Sequence, residues 1–302
     1  DTERSSLSAS LRMKRTAQAV VRRTLAQRSL RLPRIEPVDW VVGQRFTSND
    51  DPDRTDPSKY AWEGPAFLKH THPASQRQLT SLDELDVRGA GVRGCNAGFS
   101  FARVVHNALN EDQCAELLDQ VNAKGFTPAL LNIGGGVQVL ASDVRDGLRV
   151  IVDSQPLTQY LFEILQPHLP QTVEKAGKRR QLVGLNERCR FLCYTPGHVF
   201  EPHFDGRFWR TPPHPNAGDC SLVTLQLYLN NVPPENGGAT SFLGRPENKM
   251  EPKKISLQPR AGSVLLFTQD LRHEGSEVKA GVKYTMRTEA MYRQIGVEEA
   301  KG

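Results

Sequence analysis

From Gln181 onward the chain breaks into short runs of alternating apolar and polar residues, each closed by Pro, Gly, Asn or Asp. This period-two pattern constrains the fold more than any other feature, because it demands strands with one buried face. It predicts strands at 188–194, 222–229, 239–243, 254–257, 262–267 and 282–292. Upstream the period changes. Asn110 is placed to cap a helix through Lys124, with Cys114, Leu117, Leu118 and Val121 on its apolar stripe and Gly125 closing it. A second helix is predicted from Ser154 to Leu165, ended near Pro167 and Pro170. Helices followed by many short strands predict an α+β, mainly β chain: a double-stranded β-helix, or jelly roll, with helices buttressing one sheet.

The net charge of +5 is unevenly spread. Nine basic residues and no acid lie from Arg4 to Arg34, so the positive surplus belongs to an arm and the remainder is slightly acidic. Such an acid-poor, Ser- and Arg-rich arm with scattered leucines has the composition of an organelle transit peptide or a basic amphipathic helix. Nucleic acid is therefore not an expected partner of the core. Asp1 in place of an initiating Met reads as a processed or trimmed product. Four segments are expected: a basic arm at 1–35, an extended Pro- and Gly-rich wrap at 36–98, the jelly-roll domain at 99–295 and a tail at 296–302. Within the wrap, Ser81-Leu-Asp-Glu84 has the form of a capping box and predicts the start of a short helix.

Five cysteines, an odd number with no C-x-x-C pair, argue for buried free thiols and an intracellular, reducing compartment: cytoplasm, or an organelle or the nucleus given the arm. No apolar run approaches the ~18 residues of a membrane span.

The chemistry concentrates in Glu201-Pro-His-Phe-Asp-Gly206 and Leu271-Arg-His-Glu-Gly275. Two imidazoles and one carboxylate are the set that holds Fe(II) on one face and leaves other coordination positions open. On a strand His203 and Asp205 point the same way while Phe204 faces the other side, and His273 can complete the face from a neighbouring strand. The remaining histidines, apart from His198 in the nearby Pro196-Gly197 turn, lack partners at ligand spacing. Asn236-Gly-Gly238 reads as a turn between strands, not a phosphate loop, since no Lys-Ser/Thr follows.

These segments, with Glu111-Asp-Gln-Cys114, Leu165-Gln-Pro-His-Leu-Pro170, Tyr194-x-Pro-Gly197, Leu227-Tyr-Leu-Asn230, Asn236-Gly-Gly-Ala-Thr-Ser-Phe242 and Lys283-Tyr284, resemble the Fe(II)- and 2-oxoglutarate-dependent dioxygenases, in particular the prolyl 4-hydroxylase-like branch. The resemblance runs from about Phe99 to Arg293. It implies a hydroxylase that uses Fe(II), 2-oxoglutarate and dioxygen, with ascorbate as an accessory, and a peptidyl proline or a small molecule as acceptor. It implies His203, Asp205 and His273 as metal ligands, and Lys283, ten positions after His273, as the cation that meets the far carboxylate of 2-oxoglutarate. Arg287, four further along the same strand face, competes for that role. Tyr194 and Tyr228 resemble tyrosines lining the cosubstrate pocket, and Thr224 and Gln226 share the face of Tyr228. For the acceptor, Arg190 shares a face with Tyr194, Asn186 and Arg188 continue outward, and Arg207 and Trp209 sit in the Pro-rich loop after the metal segment. Two other readings compete: a nucleic-acid demethylating oxygenase anchored by the arm, and a silent jelly-roll binding module, which should lack one of the triad ligands or the following lysine.

Overall fold

The longest alternating run, Lys283–Gln294, forms the spine of the larger sheet. The computed structural model describes residues 32–46, 60–95, 98–134, 137–245 and 253–296. Nearly all of the basic arm, the stretch 47–59 and the tail from 297 on lie outside the described residues. Residues from Arg34 onward belong to one compact unit.

Among the described residues the larger sheet has ten strands. Its path runs Ser81–Leu85, Ala102–His106, Val264–Thr268, Cys220–Tyr228, Lys283–Gln294, Arg188–Tyr194, Leu148–Asp153, Thr127–Pro128, with every neighbouring pair antiparallel. A hairpin of Thr172–Lys175 and Lys178–Leu185 pairs with the far end of Lys283–Gln294. A smaller four-stranded sheet runs Phe200–His203, His273–Gly275, Thr240–Leu243, Lys254–Leu257. Arg45–Phe46, Val137–Val139 and Leu131–Gly134 make a third, minor one.

Alternation sorts the large sheet into two unlike faces. Val150, Val152, Phe191, Leu225, Leu227, Met286 and Ala290 join one buried apolar cluster with Leu117, Val121, Leu157, Leu161 and Ile164, so the helices Glu111–Lys124 and Gln155–Leu165 cover that face. The intervening residues, among them Arg190, Thr224, Gln226, Lys283, Thr285 and Arg287, are mostly polar and look the other way. A face so polar is stable only if its groups find partners or ligands. Both helices start as the sequence predicts. Asn110 accepts from the Gln113 amide while the Gln113 side chain accepts from Asn110, and Ser154 caps the second helix through the Leu157 amide.

The predicted strands all form, with ends shifted by up to two residues. Two expectations are corrected. Ser81–Leu85 is an edge strand, not a helix start. Its acids pair across the ladder, Glu84 with Arg103 at 3.0 Å and Asp83 with His106 at 2.8 Å, and these nonlocal contacts win over the local capping pattern. Leu148–Asp153, where no strand was expected, pairs with the whole of Arg188–Cys193. Gly147 admits this strand beside the site: a Cβ there would lie 3.0 Å from the Tyr194 ring. The wrap likewise contributes short elements, a helix at Pro73–Arg77 besides the edge strand. Gly237 and Gly238 both have positive φ (70° and 68°), as a tight turn between strands requires. All five cysteines are free, and four are buried. No helix among the described residues is long and apolar enough to cross a membrane.

Candidate metal centre

His203 ends the strand Phe200–His203, and His273 begins the strand paired with it, the two being direct cross-strand partners. Asp205 lies two residues past the strand end, where its amide donates to the Gln269 carbonyl at 3.1 Å. Phe204 between them points away, with Arg93 and Arg272 each 5.9 Å from its ring centre. The ligand atoms of His203, Asp205 and His273 lie within 4.8 Å of one another. Asp205 Oδ1 is 3.8 Å from His203 Nε2 and 3.9 Å from His273 Nε2.

The donor chemistry of this triad suits a divalent ion. His203 Nδ1 sits 2.7 Å from the Glu201 carbonyl oxygen and His273 Nδ1 sits 2.9 Å from that of Leu271. A carbonyl only accepts, so each Nδ1 carries the proton and each Nε2 turns a lone pair toward Asp205. Burial, and then the neighbouring His273, push the His203 pKa down to about 3, and burial lowers that of His273. Both rings are therefore neutral ligands at pH 7. Burial alone would raise the Asp205 pKa, but Arg287 first and then the two imidazoles reverse this and hold it below the usual carboxylate range. Phe200 stacks on His203 with ring centres 3.6 Å apart, and Phe267 packs edge-on to His273 at 4.6 Å, so apolar walls flank the ligands.

The second sphere of Asp205 comes from the large sheet. Thr224 Oγ1 donates to Oδ2, and Arg287 Nη2 lies 2.9 Å from Oδ1. Arg287 also approaches Glu289 at 3.8 Å. Its charge is therefore already matched. Lys283 differs. It is 3% exposed, lines the same cavity, and among the described residues no carboxylate stands at ion-pair distance from it. Burial lowers its pKa from 10.5 to about 7. Its Nζ lies 5.6 Å from the ring centre of Tyr194, which also lines the cavity.

Other predicted residues fall into place unevenly. Gln226 lines the cavity and donates to Thr240 Oγ1 at 2.9 Å. Tyr228 is fully buried and spends its hydroxyl on the same Thr240 at 3.0 Å, so it stands behind the cavity wall rather than in it. Three predicted acceptor contacts are committed elsewhere. Arg188 holds Asp153 through Nε and Nη2 at 2.8 and 2.9 Å, Arg190 pairs with Glu289 at 3.0 Å, and Asn186 donates to Glu289 at 2.9 Å. These make a structural ion network, because the buried Glu289 and the half-buried Asp153 draw the cations in. Arg207 and Trp209 pack on each other at 5.8 Å. Arg207 lines a neighbouring cavity of about 380 Å³ with Phe204, Lys175, Asp270 and the metal ligand Asp205, and is absent from the lining of the cavity that holds all three ligands. His198 sits in its turn 3.7 Å from Asp146.

Among the lining residues that escaped the sequence reading are Thr240 and Arg145. Thr240 falls inside the quoted Asn236–Phe242 segment and was findable there. Arg145 comes from the irregular stretch before Leu148–Asp153, and nothing local marks it.

Residues 189–288 match the sequence profile of the 2OG-Fe(II) oxygenase superfamily. A stretch of 92 residues is 36% identical to a probable prolyl 4-hydroxylase 11 of Arabidopsis thaliana, covering 30% of this chain and 27% of that protein. The match thus spans about a quarter of the relative's length. Among solved structures, similar ones include a Trichoplax adhaerens prolyl hydroxylase in complex with a hypoxia inducible factor oxygen degradation domain peptide (20% identity, 63% of this chain and 82% of that one, TM-score 0.46). Another is the viral collagen prolyl hydroxylase of Paramecium Bursaria Chlorella virus-1 (17% identity, 64% and 96%, TM-score 0.41).

Proposed function

We propose that the chain is an Fe(II)- and 2-oxoglutarate-dependent dioxygenase that hydroxylates an unactivated C–H of a peptidyl proline or a small molecule, a reading supported by the match of residues 189–288 to the 2OG-Fe(II) oxygenase superfamily. The two sheets then correspond to the two halves of a jelly roll, with the metal ligands on the smaller sheet and the cosubstrate cations on the larger. In the balanced reaction 2-oxoglutarate, dioxygen and R–H give succinate, carbon dioxide and R–OH.

One observation carries the reading. Two neutral Nε2 atoms and a carboxylate converge, and a buried lysine without an acid faces the same cavity. His203, Asp205 and His273 would hold the iron, which when bound supplies the redox chemistry that activates dioxygen. The protein's own residues do the rest. The Nδ1–H to carbonyl bonds fix both imidazole tautomers, and Thr224 and Arg287 hold the Asp205 carboxylate in one orientation. Lys283 offers the charge that a dicarboxylate needs in a dry cavity, with Tyr194 beside it as wall and hydroxyl donor. Lys283 is favoured over Arg287 for this role because Arg287 is already spent on Asp205.

The open space at the site is about 30 Å³, room for a single water. Succinate release from 2-oxoglutarate with iron and ascorbate, measured by mass spectrometry, tests the reading and separates an enzyme from a silent binding module. Turnover is expected in the wild type and lost in His203→Ala and Asp205→Ala. Succinate formation retained in either variant rules out the metal assignment.

A further inference from the structure

Three cations line the metal cavity: Lys283, Arg287 and Arg145. Arg287 is paired with Asp205, and Lys283 is spoken for by the cosubstrate under the reading above. Arg145 is left over. It is 9% exposed, and among the described residues no carboxylate stands at ion-pair distance from it. Its Nη1 makes a long bond to the Leu130 carbonyl at 3.3 Å, its guanidinium also bonds the neutral Tyr194 side chain, and its buried Nε has no hydrogen-bond partner. The guanidinium lies 4.8 Å from the ring centre of Phe200, the same ring that stacks on His203. Arg145 and Phe200 are also linked through the backbone as an antiparallel bridge, so the guanidinium is held at a set place beside the metal ligand.

A guanidinium cannot shed its proton to escape burial, unlike a lysine. Its uncompensated charge persists until an anion meets it. The lining charges make the same point. Arg145, Lys283 and Arg287 give +3, and Asp205 and Glu274 give −2, leaving +1. Fe(II) adds +2 and 2-oxoglutarate −2, so +1 remains with both bound.

We propose that Arg145 recognises a carboxylate on the acceptor, and that the acceptor is a small carboxylic acid rather than a neutral peptide residue. This rests on the oxygenase reading and narrows it. The guanidinium of Arg145, bonded only to neutral groups and with its Nε unpartnered, stands beside the Phe200 wall and suits a planar acid group held at one end while the adjoining carbon skeleton reaches toward the metal ligands.

The test uses the full chain loaded with Mn(II). In the first arm, 2-oxoglutarate is added and the melting temperature followed. No stabilisation by 2-oxoglutarate sinks the oxygenase reading itself. In the second arm, the protein loaded with Mn(II) and 2-oxoglutarate is titrated calorimetrically with L-proline, L-pipecolate and further amino and hydroxy acids, each against its primary amide. An uncharged proline-containing peptide amide is included. Acids are expected to bind at least about tenfold tighter than their amides, as a charge-assisted pair requires. Arg145→Gln should bring that ratio close to one, and Arg145→Lys should keep part of it, which guards against misreading a folding defect. The inference is overturned if the amides or the neutral peptide bind as well as the acids, if no acid binds, or if the ratio survives in Arg145→Gln. It is also overturned if Arg145→Gln weakens 2-oxoglutarate binding as much as Lys283→Ala does, since Arg145 would then serve the cosubstrate.

Discussion

Raising the pH from 7.0 to 8.5 should weaken 2-oxoglutarate binding roughly fifteenfold. The reason lies in Lys283. With burial and no acid nearby, its pKa in the cosubstrate-free protein is about 7. A bound carboxylate restores it toward the ordinary ~10.4. Only the protonated amine attracts the dianion, so the apparent Kd scales with one plus ten to the power of the pH minus 7. That factor is about 2 at pH 7.0 and about 33 at pH 8.5, a ratio of roughly 16. Calorimetric titration of the Mn(II)-loaded protein in the absence of oxygen measures it directly. Lys283→Arg serves as the control, because a guanidinium stays charged across the range and its binding should be flat with pH. A flat wild-type profile, or an equal slope in Lys283→Arg, refutes the assignment of Lys283 as the titrating anchor.

The same lysine makes a stability prediction. Its folded pKa lies below the unfolded one, so the unfolded chain binds more protons between pH 7 and about 10, and ligand-free stability rises with pH through that window. Below pH 7 the penalty is fully present. The difference between 10.5 and about 7, at ~1.36 kcal/mol per pH unit, is about 5 kcal/mol. Lys283→Met should therefore raise the melting temperature of the free protein at pH 7 while abolishing its response to 2-oxoglutarate. Thr224→Val removes the donor to Asp205 Oδ2 and should weaken Mn(II) binding about 10- to 100-fold, read by metal titration. Arg190→Ala strips Glu289 of its 3.0 Å partner and should destabilise the fold by about 3 kcal/mol in denaturant unfolding, a structural loss rather than an acceptor-binding one.

Much of the architecture was legible because alternation and caps are local. The strand 188–194 is read to the residue, and the Asn110 cap is read correctly, the structure adding the reciprocal bond from Gln113. The same logic misled at Ser81-Leu-Asp-Glu84, where a genuine helix-start pattern serves an edge strand. There Arg103 and His106, some twenty residues on, decide the outcome. Leu148–Asp153 could have been found from its run of Leu, Val and Ile, although its Arg and the flanking Gly obscure it.

The sequence by itself determined the donors: two histidines and an aspartate at strand spacing, and a lysine at a set distance beyond. Those identities and offsets survive any detail of packing. Only the tertiary structure decided which charges are free. Arg188, Arg190, Arg287, Lys283 and Arg145 look alike as letters in a chain. Whether a carboxylate stands opposite each is set by register between strands distant in sequence. Asp153, Glu289 and Asp205 silence the first three, while Lys283 and Arg145 are buried with no carboxylate opposite them among the described residues.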